Sequence, residues 1–248
     1  MIRAIIFDLD GTLVQTEILK AISYARAAVA LRPDKFPEEA VIEAFKQMAG
    51  HSRQEVAERL LEQFYLEEPS RKLMAEFNVE KPWQAFVQVR LGKYEALLAD
   101  PSILPRYLCP HNVRLLRWAK QHGYMIGLAT TSSCAATTRV LRILTLLKQF
   151  DFVATADDVE HAKPDPEIYL LVAKELAVLP RECLAIEDSA SGVKAAVAAG
   201  MSCIASTSDF TSAKVHASSL LPEQWIVDDA RNLLIVAQKL IEDKSREG

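Results

Sequence analysis

Short apolar runs alternate with longer amphipathic segments over most of the chain. Five of these runs are rich in isoleucine, valine and leucine and are too short to form independent helices, so we interpret them as buried parallel strands. The predicted strands cover residues 2–7, 124–129, 152–154, 183–186 and 202–205. Apolar residues at helical spacing predict helices at residues 113–121, 135–147, 166–176, 191–199 and 230–241. This alternation predicts an α/β fold built on a doubly wound parallel sheet.

One stretch interrupts the alternation. After the first predicted strand, no strand-like run appears for about a hundred residues, far longer than a usual connection between a strand and a helix. Three segments there have apolar residues at helical spacing instead, at residues 38–48, 53–64 and 83–98. We therefore predict a Rossmann-like α/β core of residues 1–15 and 100–248, with an inserted α-helical domain of residues 16–99.

Charge and composition narrow the classes of function. The 248 residues include 29 Lys plus Arg and 33 Asp plus Glu, which gives a formal net charge of −4. This balance provides no basic surface of the kind that binds nucleic acid or an anionic membrane, so we expect neither partner. Half of the residues are hydrophobic and a quarter are charged, which excludes a wholly disordered chain.

The distribution of apolar and cysteine residues indicates the compartment. Lysine or arginine interrupts every apolar stretch before the roughly 18 residues that a membrane span needs. The first residues lead directly into a short strand, without the pattern of a secretory signal. The four cysteines are scattered without a CxxC pair, so neither a zinc site nor a disulfide framework is expected. We therefore expect a cytoplasmic protein.

The first polar cluster follows the first predicted strand. Asp8 and Asp10 stand two positions apart and are followed by Gly11 and Thr12. Ligands of doubly wound sheets collect at the carboxyl ends of the strands, where two carboxylates need a cation to offset their charge. Taken alone, this pair is equally typical of a turn with a solvated aspartate and a helix cap.

Three further clusters follow later predicted strands, and each has an ordinary structural interpretation of its own. Thr130 and Thr131 could bind phosphate or cap a helix. Lys163 lies in a proline-rich loop, and a lysine in a loop is usually solvated. Glu187 and Asp188 precede a helix, whose dipole favours acidic residues at its start. The carboxyl ends of parallel strands meet at one edge, so all four clusters are expected in one pocket. Together they supply the groups that phosphoryl transfer requires.

These residues also resemble a known family. Asp8 to Thr12 resembles the first motif of the haloacid dehalogenase-like hydrolase superfamily, Thr130 the second, Lys163 the third, and Glu187 with Asp188 the fourth. The position of the helical insertion is similar to that of the phosphatase branch, in which a helical cap lies between the first and second motifs. The resemblance covers nearly the whole chain.

The resemblance implies a role for each motif residue. Asp8 would be the nucleophile that forms an aspartyl-phosphate, and Asp10 the general acid and then the general base. Thr130 and Lys163 would bind phosphoryl oxygens, helped by backbone N–H groups of Leu9 and Thr131. A Mg²⁺ ion would be held by the carboxylate of Asp8, the carbonyl of Asp10 and Asp188, with support from Glu187 directly or through water. These implied metal residues are Asp8, Asp10, Glu187 and Asp188.

The segment Gly50-His51-Ser52-Arg53 resembles the substrate-specificity loop of the same branch. The resemblance implies that Arg53 and His51 contact a second group of the substrate. An equally good interpretation is that Ser52 caps the helix beginning at Arg53 and that Arg53 is solvated.

We therefore predict a Mg²⁺-dependent phosphomonoester hydrolase, acting as a monomer on a small phosphorylated metabolite such as a sugar phosphate or a phosphoglycolate-like compound. The alternative is a phosphosugar mutase resembling β-phosphoglucomutase, which would use the same intermediate. Mutases of this kind usually carry a histidine in the hinge, and the nearby residue here is Lys20, which disfavours that alternative. Two further alternatives are disfavoured because all the motif residues are present. A dehalogenase would need neither the metal nor Asp10, and a non-catalytic binding protein would not need every motif residue intact.

Overall fold

A parallel β-sheet organises the computed structural model, which describes residues 1–33, 35–48 and 52–246. Its six strands follow the order β3-β2-β1-β4-β5-β6. The strands are β1 (Ala4–Phe7), β2 (Met125–Ala129), β3 (Phe152–Ala154), β4 (Cys183–Glu187), β5 (Ser202–Ser206) and β6 (Ile226–Val227). The α/β class and five of the strands confirm the sequence prediction. The sequence missed β6, because an alternation over only two residues is too short to recognise.

Strand β1 lies at the centre of the sheet, with β2 on one side and β4 on the other. Its last residue, Phe7, pairs with Leu128 and with Ile186. The strands run parallel, so the residues immediately after these three positions reach the same edge of the sheet.

The chain divides into two compact units. One consists of residues Met1–Gln15 and Leu104–Gly248, and the other of Thr16–Ile103. In the described residues of the second unit, all regular secondary structure is helical. Its helices are α1 (Thr16–Leu31), α2 (Glu38–Gln47), α3 (Arg53–Gln63), α4 (Glu67–Arg71), α5 (Met74–Phe77) and α6 (Pro82–Ala99). The helices of the α/β unit are α7 (Pro110–Gln121), α8 (Cys134–Ile143), α9 (Glu167–Glu175), α10 (Ala190–Ala198), α11 (Ser212–Ser218) and α12 (Leu233–Arg246).

Four helices of the α/β unit differ from the sequence prediction by more than one residue. Helix α7 begins at Pro110, three residues before its predicted start, and α11 was not predicted. The helix predicted at residues 135–147 ends at Ile143, because Thr145 adopts a left-handed conformation with φ of 56°. The N–H of Leu146 then bonds to the carbonyl of Leu141, which closes the helix end. The helix predicted at residues 230–241 begins with a 3₁₀ turn at Ala230–Asn232 and continues to Arg246.

The core of the α/β unit lies between the sheet and its helices. Ala4 and Ile6 of β1 belong to one buried cluster that includes Tyr169 and Val172 of α9 and Val193 of α10. Side chains alternate along a strand, so the other residues of β1 face the opposite side of the sheet, and they too are fully buried. Burial on both faces explains why the strands read as continuous apolar runs.

No helix in the described ranges is both long and apolar enough to cross a membrane.

A close contact between β2 and α9 predicts a cost for one added methyl group. A Cβ atom on Gly127 would lie 2.4 Å from Cγ1 of Val172 and 3.3 Å from Cγ1 of Ile6. We expect Gly127→Ala to lower the free energy of unfolding by about 1–3 kcal/mol through overpacking. Urea denaturation followed by circular dichroism measures the change.

Gly92 in α6 provides the matched control, because no atom lies within 4 Å of the Cβ that Gly92→Ala would add. The free energy of unfolding of this variant is expected to rise by up to about 1 kcal/mol, because alanine has a higher helix propensity than glycine. Equal stability of the two variants would contradict the packing argument.

Candidate active site

Asp8 lies at the carboxyl end of β1 and is the most central of the predicted site residues. Its backbone N–H donates to the carbonyl of Ile186 at 3.0 Å, which extends the pairing of β1 with β4 by one residue. The side chain is 6% exposed, and its Oδ1 accepts a hydrogen bond from Nζ of Lys163 at 2.8 Å. Burial raises the pKa of Asp8 to about 7, and the positive charge of Lys163 opposes part of that rise.

Lys163 follows β3 and places its ammonium group among three acceptors. Nζ donates to Oδ1 of Asp8 at 2.8 Å, to the carbonyl of Ala129 at 2.9 Å and to Oε1 of Glu187 at 2.5 Å. These bonds match the three donors of an ammonium group. Burial alone would lower the pKa of Lys163, but the two carboxylates outweigh burial and raise that pKa above its usual value. The lysine is therefore a charged group at the bottom of the site.

Glu187 is the last residue of β4 and is completely buried. Its Oε1 accepts hydrogen bonds from Lys163 and from the hydroxyl of Tyr169 at 2.6 Å, and its Oε2 accepts from the N–H of Asp188 at 3.2 Å. A Cβ on Gly192 would lie 2.0 Å from this carboxyl group. Helix α10 therefore approaches Glu187 closely because residue 192 has no side chain.

Asp188 follows Glu187 and is 4% exposed. The turn after β1 passes directly against it: Gly11 has φ of +87°, and a Cβ there would lie 2.1 Å from Oδ2 of Asp188. Glycine meets both requirements, since it tolerates positive φ and leaves room for the carboxylate.

Three buried carboxylates converge in this site. One oxygen each from Asp8, Glu187 and Asp188 lie within 4.8 Å of one another. Carboxylates at such separations repel in a buried setting, and a cation between them relieves that repulsion. The cluster could therefore hold a metal ion, and its all-oxygen character suits hard cations such as Mg²⁺.

Asp10 is held by two hydroxyl groups from the loop after β2. Thr130 Oγ1 donates to Oδ2 of Asp10 at 3.2 Å, and Ser132 Oγ donates to the same oxygen at 2.6 Å. The N–H of Ser132 in turn donates to Oγ1 of Thr130 at 3.1 Å. The sequence prediction assigned the backbone N–H of Thr131 to phosphate binding and gave Ser132 no contact with Asp10. The loop turns so that Ser132 reaches Asp10, whereas the side chain of Thr131 is exposed.

Tyr169 is a second residue of the site that the sequence analysis did not identify. It lies in α9, is fully buried, and places its ring centroid 5.0 Å from Nζ of Lys163 while its hydroxyl bonds to Glu187. In the sequence it stands on the apolar face of a predicted helix, where an aromatic residue usually belongs to the core. Its position next to a charged cluster had no signal in the sequence.

The remaining predicted site residues have different surroundings. Leu9 is 1% exposed, and its carbonyl accepts from the N–H groups of Leu13 and Val14. Arg53 is an exposed residue at the start of α3 in the helical unit, where Ser52 and Glu55 form a reciprocal capping box. His51 lies outside the described residues. The structure thus brings Asp8, Asp10, Thr130, Lys163, Glu187 and Asp188 together within the α/β unit.

Comparisons with known proteins agree with this arrangement. A family model described as haloacid dehalogenase-like hydrolase matches residues 2–200. Phosphoglycolate phosphatase of Salmonella typhi is 31% identical over 252 residues, covering 99% of this chain and 96% of its own.

Two solved structures are also similar. A β-phosphoglucomutase from Clostridium difficile superposes with a TM-score of 0.65 and 26% identity, covering 100% of this chain and 98% of its own. CbbY from Rhodobacter sphaeroides in complex with xylulose-(1,5)bisphosphate has a TM-score of 0.63 and 27% identity, covering 94% of this chain and 96% of its own.

The hydroxyl of Tyr169 generates a stability prediction. Tyr169→Phe removes a hydrogen bond to a buried carboxylate without changing the volume of the ring. We expect it to lower the free energy of unfolding by about 1.5–3 kcal/mol, the range for bonds to charged groups. Denaturant unfolding of the purified variant measures this loss.

Tyr65 is 77% exposed and provides the control. Tyr65→Phe is expected to change stability by less than about 0.5 kcal/mol. If both variants unfold at the denaturant concentration of the unmodified protein, the hydroxyl of Tyr169 does not stabilise the cluster.

Proposed function

Since the chain belongs to the haloacid dehalogenase-like hydrolase family, in its phosphatase branch, we propose that it hydrolyses phosphate monoesters through an aspartyl-phosphate on Asp8. The observation that carries this proposal is the pairing of the buried Asp8 carboxylate with Lys163, with Asp10 two residues further along the same turn. A nucleophile, a cation and a second acid at the end of one strand are the groups that this chemistry uses.

The proposed substrate is a small phosphorylated metabolite. The names of similar proteins support this class, since one is a phosphoglycolate phosphatase and another was crystallised with xylulose-(1,5)bisphosphate. We therefore propose a sugar phosphate or a phosphoglycolate-like compound.

In the first step, a carboxylate oxygen of Asp8 attacks phosphorus as the bond from phosphorus to the ester oxygen breaks. Asp10 gives its proton to the departing ester oxygen. In the second step Asp10 takes a proton from water, the water oxygen attacks phosphorus, and the bond from phosphorus to Asp8 breaks. Inorganic phosphate leaves, and both carboxyl groups return to their starting states.

The hydrogen bonds on Asp10 suit this role. Thr130 and Ser132 both donate to Oδ2, and no described residue donates to Oδ1. Two donors on one oxygen fix the plane of the carboxyl group, and Oδ1 is the oxygen we assign to carry the proton.

Binding of the phosphoryl oxygens is assigned to four groups. Lys163 supplies a positive charge. Thr130 supplies a hydroxyl, whose hydrogen is donated to Asp10 in this structure and would turn to a phosphoryl oxygen when substrate binds, while Ser132 keeps its bond to Asp10. The backbone N–H groups of Leu9 and Thr131 complete the set. Donors of this kind stabilise the charge that develops on the phosphoryl group during transfer.

The carboxylate cluster fits a resident Mg²⁺ ion. The proposed ligands are Asp8, the carbonyl oxygen of Asp10 and Asp188, and the close approach of three buried carboxylate oxygens supports them. When bound, the ion offsets the repulsion between the carboxylate nucleophile and an anionic phosphate. Glu187 is engaged by Lys163 and Tyr169, so we propose that it supports the metal, directly or through water, while it orients the lysine.

The helical segment of residues 16–99 is proposed to act as a cap that excludes water and selects the leaving group. Arg53 and His51 are proposed to contact the part of the substrate beyond the phosphate. We propose that the protein acts as a monomer.

The phosphosugar mutase alternative has one observation against it. Lys20 stands near the hinge position where such mutases usually carry histidine, and its Nζ is paired with Oε1 of Glu17 at 2.5 Å. A lysine at this position does not provide the imidazole of a histidine, the side chain that usually exchanges protons near neutral pH.

The central test compares Asp8→Asn with the unmodified enzyme on a panel of phosphorylated metabolites. We expect phosphate release to fall by at least about 10³-fold in the variant, because an amide cannot act as the nucleophile. Release by the unmodified enzyme is expected to require Mg²⁺ and to stop with EDTA. Asp243→Asn in α12 is the control and should retain full activity. Turnover by Asp8→Asn at the unmodified rate would refute the assignment of the nucleophile.

A product assay separates hydrolase from mutase. Phosphorus NMR of a reaction with a sugar monophosphate is expected to show inorganic phosphate accumulating in proportion to the substrate consumed. Quantitative conversion to an isomeric sugar phosphate, dependent on a bisphosphate activator, would favour the mutase instead.

A further inference from the structure

A positive charge is buried inside the helical unit, apart from the residues assigned above. Arg90 of α6 is only 6% exposed. Its guanidinium carbon lies 5.1 Å from the ring centroid of Tyr24 and 4.7 Å from that of Tyr94. Arginine remains charged in proteins, so the charge itself is buried, which is costly unless it is paired.

The two tyrosine rings compensate this charge only in part. Aromatic faces attract a guanidinium group, but they do not accept its in-plane hydrogen bonds. The Nε atom is enclosed without a hydrogen-bond partner. Within residues 1–33, 35–48 and 52–246, no Asp or Glu forms an ion pair with Arg90. Nε is therefore a buried donor that the described residues leave unused.

The charges around Arg90 add to its positive field. Burial raises the pKa of Tyr24, and the positive charges of Arg90, Arg53 and Lys20 each oppose that rise. Burial lowers the pKa of Arg90, and Arg53 contributes in the same direction. Glu17 is the nearby acidic residue, and it is paired with Lys20. These positive charges repel one another, and an additional anion would relieve that repulsion.

We propose that Arg90, framed by Tyr24 and Tyr94, forms an anion-binding site within the helical unit that takes a carboxylate or phosphate group. A guanidinium group presents its N–H donors in a planar fork that matches the oxygens of both anions. The two aromatic rings contact the guanidinium group, and an incoming anion provides acceptors and the missing negative charge. The anion is either an acidic group carried by the substrate or a separate small anion.

Malonate tests the site directly, because it is a small dianion without a phosphoryl group. A ligand that binds only the folded state raises its melting temperature as its concentration increases. We expect malonate to stabilise the unmodified protein, and Arg90→Gln to need about 10- to 100-fold more malonate for the same shift, the range for a charged hydrogen-bonded contact. Differential scanning fluorimetry provides the measurement.

Arg59 in α3 is exposed and allows a control with the same change in net charge. Arg59→Gln is expected to respond to malonate like the unmodified protein. An absent response in the unmodified protein, or equal responses of the two variants, would overturn the proposal. If Arg90→Gln does not fold, Arg90→Lys takes its place, because lysine keeps the charge but not the planar fork. It too is expected to need more malonate for the same shift in melting temperature, and a response equal to that of Arg59→Gln would overturn the proposal.

Steady-state kinetics then distinguishes the two sources of the anion. We measure kcat/KM for two substrates, a monoester with a second acidic group and p-nitrophenyl phosphate, and divide the first value by the second. This ratio is compared between Arg90→Gln and Arg59→Gln. A ratio that falls about 10- to 100-fold in Arg90→Gln assigns the site to the substrate. An unchanged ratio, together with a lost malonate response, assigns it to a separate anion. The malonate response does not depend on turnover, so failure of the proposed hydrolysis and failure of this site give different results.

Discussion

The α/β unit depends on one buried ammonium group. Nζ of Lys163 bonds to Asp8 after β1, to the carbonyl of Ala129 in β2 and to Glu187 in β4. It therefore ties together the carboxyl ends of three adjacent strands. Two buried carboxylates without this cation would repel each other, and a buried lysine without them would lose its proton or its position. The charges of the site therefore help to hold the central strands in position, and the strands in turn hold the charges together.

The helices next to the sheet are adapted to the same group. Helix α9 places Tyr169 so that its hydroxyl fills the second hydrogen-bonding direction of Glu187 Oε1, and its ring faces the ammonium. Helix α10 comes close enough to enclose the carboxylate because residue 192 is glycine. Packing thus excludes water around the charges, which strengthens every electrostatic interaction among them. A site that is fixed in this way does not have to reorganise when charge develops during a reaction.

The sequence was sufficient for the features that depend on chain order and periodicity. Apolar runs predicted five strands, and the rule that parallel strands end at one edge predicted the meeting of Asp8, Thr130, Lys163 and Glu187. The sequence was insufficient where the local backbone conformation decides where a helix ends or which side chain reaches the site. The left-handed Thr145 shortens α8, and the bond from Ser132 to Asp10 depends on the turn that follows β2. A tyrosine on an apolar helix face has the same pattern whether it contacts core residues or a buried carboxylate, so Tyr169 could not be recognised.

Two buried cations in the described part of the chain are compensated in opposite ways. Lys163 has all three donors occupied by protein oxygens, two of them charged, so its position is determined before any ligand binds. Among the described residues, Arg90 contacts the faces of two aromatic rings, its Nε has no hydrogen-bond partner, and a like charge is nearby. A protein retains an unsatisfied buried charge at the expense of stability, and such local conflicts are found at sites of function. The α/β unit therefore carries a preorganised charge cluster, whereas the charge in the helical unit is incomplete until an external anion supplies the missing acceptors.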